Sequence, residues 1–192
     1  MALAKYLLGN LLELSEGRNS TGKKGLESVR GISIKKMFIE TKADMEGVSL
    51  RPYLIVKPDD FAYVPVTSRN GEKITLAHNT SKDTYIVSSS YIVFRVVRKE
   101  VLDSNYLFMY FNRPEFDRYA RFNSWGSARE AFSWADMQDV EIILPSLGVQ
   151  KKYAAVHATM ARSGSLSVHM QDRFHGICSV LIKGSLDEGK RK

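Results

Sequence analysis

Short apolar blocks bounded by turn residues fill the first two thirds of the chain, and a helical spacing takes over in the last third. Residues 53–56, 61–64, 74–77, 85–87 and 91–97 are rich in β-branched and aromatic side chains and predict strands. Pro58-Asp59-Asp60 turns the first into the second, and Asn70-Gly71 predicts a hairpin tip flanked by Arg69 and Lys73. Residues 32–34, with Met37-Phe38-Ile39 after them, suggest a further short strand. Leu7, Leu8, Leu11, Leu12 and Leu14 predict an amphipathic helix over residues 4–14, followed by Gly17. The polar, glycine-containing stretch 18–31 predicts a mobile basic loop. Residues 105–112 and 114–122 predict two short helices, the first capped by Asp103 or Ser104, the second opened by Pro114 with Glu115 in its first turn.

Val140-Glu141-Ile142-Ile143-Leu144 predicts a closing strand ended by Pro145, and Ser146 then caps what reads as one long helix. A heptad runs along it: Tyr153, Met160, Ser167, Phe174 and Leu181 share one position, with Val156, Ser163, Met170 and Ile177 three residues after the first four. Roughly 35 helical residues at about 1.5 Å each span about 50 Å, too long for one small domain to bury. The expected organisation is an α+β head over residues 1–144, a spacer or dimerisation helix of coiled-coil type over 145–183 and a disordered charged tail over 184–192. Ser163, Gly164, Ser165 and Ser167 weaken the middle of the helix. They suit either a kink or break into two helices, or the close approach of a partner backbone.

A chain of 192 residues with 44% hydrophobic and 26% charged residues has enough apolar side chains for one soluble core plus an appendage. The net charge of +7 fits either a solvated basic surface or a polyanionic partner, nucleic acid first. The single cysteine, Cys178, excludes an internal disulfide framework and suits a reducing compartment. No 18-residue apolar run is present, and the N-terminal stretch lacks the basic region and small-residue cleavage site of a signal peptide, so a cytoplasmic protein is expected.

The chemistry points to binding. The sequence has no Asn/Asp-Pro-Pro-aromatic run, no phosphate-binding glycine loop and no acidic pair followed by a usefully placed Glu-x-Lys. His78, His157, His169 and His175 match no metal-ligand spacing, so neither a metal nor a cofactor is expected. Asp59 and Asp60 read as turn residues, Asp136 and Asp139 as caps before the last strand. The aromatic residues read as core before they read as base-stacking groups. What remains is a set of basic and hydrogen-bonding residues on predicted loops: Lys23, Lys24, Arg30, Lys35 and Lys36; Ser68, Arg69, Asn70 and Lys73; and Arg118, Arg121 and Arg129 around Trp125. Each taken alone is a solvated charge; together they suit double-stranded DNA, with Lys and Arg on phosphates and Arg, Asn and Ser on base edges.

Several segments occur in an order that resembles one family. They are Gly17-Arg18-Asn19; the run from Tyr53 to Tyr63 leading into Thr67-Ser68-Arg69-Asn70-Gly71; Tyr91-Ile92-Val93-Phe94 followed by Tyr106-Leu107-Phe108; Gly126-Ser127-Ala128-Arg129; and Ile142-Ile143-Leu144-Pro145 with Gln150 at the helix start. Together they resemble the DNA specificity subunits of type I restriction–modification systems. The resemblance implies a target recognition domain that reads one half of a bipartite site, and a helix that packs antiparallel against its counterpart. It implies modification subunits that carry S-adenosylmethionine and dock on the helices, and a restriction subunit joined through them. Where the family carries two recognition domains, this chain has one, so it resembles a half-size form. Two copies, or two different halves, would then pair through the helices. The alternative is a truncated assembly or regulatory subunit that docks on the modification subunits without reading DNA.

Overall fold

The computed structural model describes residues 3–41, 43–67, 73–127, 129–164 and 170–190. The chain divides into two compact units, one formed by Met1–Leu12, Val96–Asn123 and Ala135–Lys192, the other by Glu13–Arg95 and Ser124–Trp134. The first is mainly helical and gathers segments from both sides of residue 144; the second is built of strands.

In the β unit, the strongly β-branched and aromatic runs form the expected strands. A four-stranded sheet has the order β2 (Leu12–Leu14), β9 (Ile92–Val96), β6 (Phe61–Tyr63), β7 (Leu76–His78). β6 pairs antiparallel with both neighbours, placing Phe61 opposite Phe94 and His78, and Tyr63 opposite Ile92 and Leu76. All three β6 residues are buried, as suits a strand covered on both faces. Two antiparallel pairs, β3 (Arg30–Ile32) with β4 (Phe38–Glu40) and β5 (Leu54–Val56) with β8 (Tyr85–Val87), complete the unit. Leu54, Val56, Ala62, Val87 and Val93 form one buried cluster, with Ile32, Phe38, Tyr85 and Tyr91 packed against it.

The segment 18–31 is tied down rather than loose. Asn19 is buried and its amide nitrogen donates to the carbonyls of Lys24 (2.9 Å) and Leu50 (3.2 Å), while its oxygen accepts from the Lys24 N–H (3.0 Å). One side chain therefore closes the segment at Lys24 and ties it to the backbone at Leu50.

The N-terminal segment is not a helix. β1 (Ala4–Leu7) pairs antiparallel with β10 (Glu141–Leu144), in a register that sets Ala4 opposite Leu144 and Tyr6 opposite Ile142. A short 3-10 turn (Leu8–Asn10) follows, and its Leu8 N–H donates to the Val140 carbonyl. Leu8 and Leu11 are fully buried across that turn, which reproduces the three-residue spacing of a helix face. Gly9 is required by packing, because a Cβ there would lie 2.9 Å from the Gln138 Cβ.

In the helical unit, α1 (Ser104–Phe111) is capped by Asp103, which accepts from the Tyr106 N–H. α2 (Pro114–Phe122) has Pro114 in its first turn, with Glu115 and Asp117, and Arg121 in its last. After α3 (Trp134–Gln138) and β10 come α4 (Leu147–Gly164) and α5 (Met170–Lys190). These two helices replace the single long arm expected from the heptad. They run antiparallel and side by side: the Lys152 ammonium lies 2.7 Å from the Glu188 carboxylate, and Gly184 packs on the Tyr153 ring. At about 1.5 Å per residue each helix is roughly 30 Å long. α5 continues to Lys190, so residues 184–190, expected as a disordered tail, are helical.

α5 buries Cys178, Ile182, Ser185 and Gly189, at spacings of four, three and four. This face lies one residue out of phase with the predicted Ile177–Leu181 stripe, whose members are half-buried. Val156 on α4 and Val180 on α5 remain exposed. Tyr153 is half-buried against Gly184, and Met160 is half-buried. Ser163 falls in α4, and Met170 and Phe174 fall in α5. Ser165 and Ser167 lie outside the described residues.

Candidate nucleic-acid interface

The residues that sequence reasoning gathered for DNA divide between the two units. Arg118 and Arg121 are exposed on α2 of the helical unit, where Arg118 lies 3.7 Å from Glu115 one turn earlier. Lys23, Lys24, Arg30, Lys35, Lys36, Lys73 and Arg129 belong to the β unit. Ser68, Arg69 and Asn70 lie outside the described residues.

Within the β unit the cations are not equivalent. Lys23 is exposed on the loop that Asn19 organises. Arg30 is committed internally: its guanidinium donates to the carbonyls of Glu27 (2.7 Å) and Val29 (2.9 Å) and sits 4.7 Å from the centre of the Tyr85 ring. The β3–β4 tip separates two adjacent lysines. Its turn is closed by Lys36 N–H donating to the Ser33 carbonyl and Ser33 N–H donating to the Met37 carbonyl, both 2.9 Å. Lys36 adopts φ 58° and is 1% exposed, so its ammonium is not presented at the surface as expected. Lys35 is exposed, between Ile34 (59% exposed) and Met37 (53%). A left-handed backbone at a non-glycine residue is uncommon, and here it accompanies an inward lysine and outward apolar neighbours.

A second construction was missed by sequence reasoning. Trp125 and Ala131 exchange both backbone hydrogen bonds (3.1 and 3.0 Å), closing a small hairpin over the residues between them. Ala131 also bridges to Val66 on its other side. Phe132 N–H donates to the Pro65 carbonyl (2.8 Å), and the Thr67 N–H (2.9 Å) and hydroxyl (3.2 Å) both donate to the Glu130 carbonyl. Gly126 has φ 142°, and a Cβ there would collide with the Arg129 carbonyl oxygen. The base is buried through Phe132, edge-on to Tyr63, whereas Trp125 is 67% exposed and Arg129 is exposed. The available sequence signal was the Trp-Gly pair, since a glycine obligatory in a tight turn pushes its neighbour to a loop tip.

His78 and Asp60 are buried within the β unit. His78 stacks on Phe61 (4.3 Å between ring centres) and its Nε2 lies 2.9 Å from the Asp59 carboxylate. Burial raises the Asp60 carboxyl above its ordinary range despite a hydrogen bond from the Lys57 N–H. Among the described residues no group of three or more His, Cys, Asp or Glu is arranged to hold a metal. In the helical unit a cavity of about 480 Å³ lies between α1, α2 and β10. Arg113 lies 3.8 Å from the centre of the Tyr110 ring, and the Tyr110 hydroxyl donates to the Glu141 carbonyl (3.3 Å), so these groups in its lining already satisfy one another.

No protein-family profile and no curated protein sequence matches the chain. Solved structures do. The fold is that of the specificity (S) subunits of type I restriction–modification systems. Over 86% of its length the chain is similar to the HsdS subunit from Thermoanaerobacter tengcongensis, with TM-score 0.62, 16% identity and 44% of that chain covered. It is likewise similar over 84% of its length to the type I S subunit from M. genitalium, with TM-score 0.51, 12% identity and 40% of that chain covered. A chain from a structure describing assembly and conformational transition of a type I R-M system matches over 98%, with TM-score 0.50, 13% identity and 46% of that chain covered. The chain therefore spans less than half the length of each of these three structures. Among the described residues no helix is long and apolar enough to cross a membrane.

Proposed function

We propose that this protein is a sequence-specific DNA-binding subunit of a type I restriction–modification complex, supplying one half of a specificity subunit. The β unit reads one half of a bipartite site. The chain performs no catalysis; a partner methyltransferase binds S-adenosylmethionine and modifies the target, and a restriction subunit joins through that partner. The observation that carries this reading is the fold likeness over 84 to 98% of this chain, set against 40 to 46% of each matched chain. The residues in hand form one β unit and one helical unit, the parts that one recognition half requires. A second copy or a different half pairs with it along the helical hairpin, where Val156 and Val180 remain exposed. The net charge of +7 and the exposed Lys23, Lys35 and Arg129 support a polyanionic ligand. The site of action is the cytoplasm, with the DNA.

The test is selection from random duplexes by the chain purified with its methyltransferase. A recovered motif, bound with a steep salt dependence, is expected. No preference among duplexes contradicts the reading. Methylation and assembly that survive replacement of Arg69 and Lys73 by alanine would favour a subunit that assembles without reading DNA through that tip.

A further inference from the structure

The hairpin closed by Trp125 and Ala131 is held by four backbone hydrogen bonds, one from the Thr67 hydroxyl and a left-handed glycine, with its indole in solvent. Its base is fixed from two sides: Ala131 lies between Trp125 and Val66 in backbone pairing, and Phe132 is buried on Tyr63. The other tryptophan of the chain behaves as expected, half-buried against Phe94 with ring centres 5.4 Å apart. An exposed tryptophan on a mobile loop could be incidental; one held out by a tied loop, with an exposed arginine four residues on, has the makings of a contact.

Two kinds of macromolecule take an exposed Trp–Arg pair, a protein surface and a nucleic acid. The hydrogen bonds favour DNA. Thr67 is held to Glu130 by its N–H and its hydroxyl, so the hairpin is stitched to the segment that runs directly into Ser68, Arg69 and Asn70. In sequence, Ser68, Arg69 and Asn70, the residues expected to read bases, follow Thr67 directly. An indole offers a flat face for a base or a thymine methyl group, and a guanidinium offers a phosphate or guanine contact.

We infer that Trp125 is a specificity-determining contact, its ring packing on the bases of the bound duplex while Arg129 holds an adjoining phosphate. The inference rests on the DNA-binding reading above.

The experiment uses the full chain with its partner methyltransferase and a fluorescently labelled duplex carrying the motif selected from random sequence. Binding is followed by anisotropy across a salt series, for the wild type, Trp125→Ala, Trp125→Phe and Arg129→Ala. Loss of a base–aromatic contact predicts about tenfold weaker binding for Trp125→Ala, an unchanged salt slope, and recovery to within about threefold in Trp125→Phe. Arg129→Ala predicts a salt slope shallower by about one. A motif duplex with 5-iodo-2′-deoxyuridine in place of thymidine is expected to photocross-link to Trp125, mapped by mass spectrometry in the wild-type complex, which needs no variant to fold. Equal affinity in Trp125→Ala, or a cross-link confined to other residues, overturns the inference while leaving the DNA-binding reading intact. Loss of methyltransferase from Trp125→Ala assigns the indole to a protein interface and overturns it also. Failure of the wild type to select any motif removes the reading itself, and the inference with it.

Discussion

The Tyr106 hydroxyl lies 2.7 Å from the Ser185 hydroxyl, in full burial, and joins α1 to α5. Ser185 gives its only hydroxyl hydrogen to the Ile182 carbonyl (2.7 Å), so Tyr106 is the donor. Burial pushes the Tyr106 phenol up to about 12, and the donor keeps its proton at every pH where the protein is handled. A hydrogen bond of this kind is the polar counterpart of the face made by Cys178 and Ile182, and it holds α5 against the unit rather than letting it extend. Tyr106→Phe leaves the Ser185 oxygen without its donor and is expected to cost about 1 to 2 kcal/mol. Chemical denaturation measures the loss, and a double-mutant cycle with Ser185→Ala should give clearly non-additive energies. Additive energies would mean that the two hydroxyls do not act as a pair.

Gln150 is fully buried where α4 begins, and one side chain serves three backbone groups. Its amide nitrogen donates to Val101 (2.8 Å) and Pro145 (2.9 Å), and its oxygen accepts from the Asp103 N–H (3.0 Å). Gln150→Ala strands two carbonyls and one N–H, and a loss of about 3 kcal/mol is expected, read as a lower denaturation midpoint. Gln150→Glu should be no better, since an ionised carboxylate accepts from Asp103 but has no hydrogen for either carbonyl.

Asp60 predicts a pH dependence. Its folded carboxyl is raised by burial, so the folded protein holds that proton more tightly than the unfolded chain. Stability from this group falls as pH rises from the unfolded value through the raised one, and the penalty is complete above it. Asp60→Asn keeps an oxygen for the Lys57 N–H, now 2.9 Å from the carboxylate, and removes the charge. The variant should melt above the wild type at pH 7, with the advantage shrinking below about pH 4, as melts across that range would reveal.

The two lysines at the β3–β4 tip should separate binding from stability. Lys35→Ala is expected to reduce the slope of log affinity against log salt by about one, as is Lys23→Ala, with little change in melting. Lys36→Ala should instead lower the melting temperature and leave the salt slope alone, because its side chain is 1% exposed. A slope change for Lys36 alone would place its ammonium at the DNA.

The strands were legible because β-branched and aromatic runs such as Ile92–Val96 carry their preference locally. The cap at Asp103 and the helix start at Pro114 were legible for the same reason. The N-terminal segment was not, since Leu8 and Leu11 occupy a helical spacing by way of a 3-10 turn, and only pairing with the distant β10 makes the chain a strand. The helical hairpin was hidden differently: the buried face of α5 includes Ser185 and Gly189, residues that an apolar count passes over in favour of Ile177 and Leu181. At the candidate interface the sequence does not report which way side chains turn. Lys36 inside and Trp125 outside invert the average behaviour of their residue types, and each depends on a backbone conformation, at Lys36 itself and at Gly126, that no periodicity reports.

The central claim is that this chain chooses where DNA is methylated. Mapping methylated adenines across the host genome, with the gene present and deleted, tests it most directly. A bipartite motif whose methylation vanishes on deletion and returns with the intact gene is expected, symmetric if two copies pair. An unchanged methylation map after deletion would contradict it.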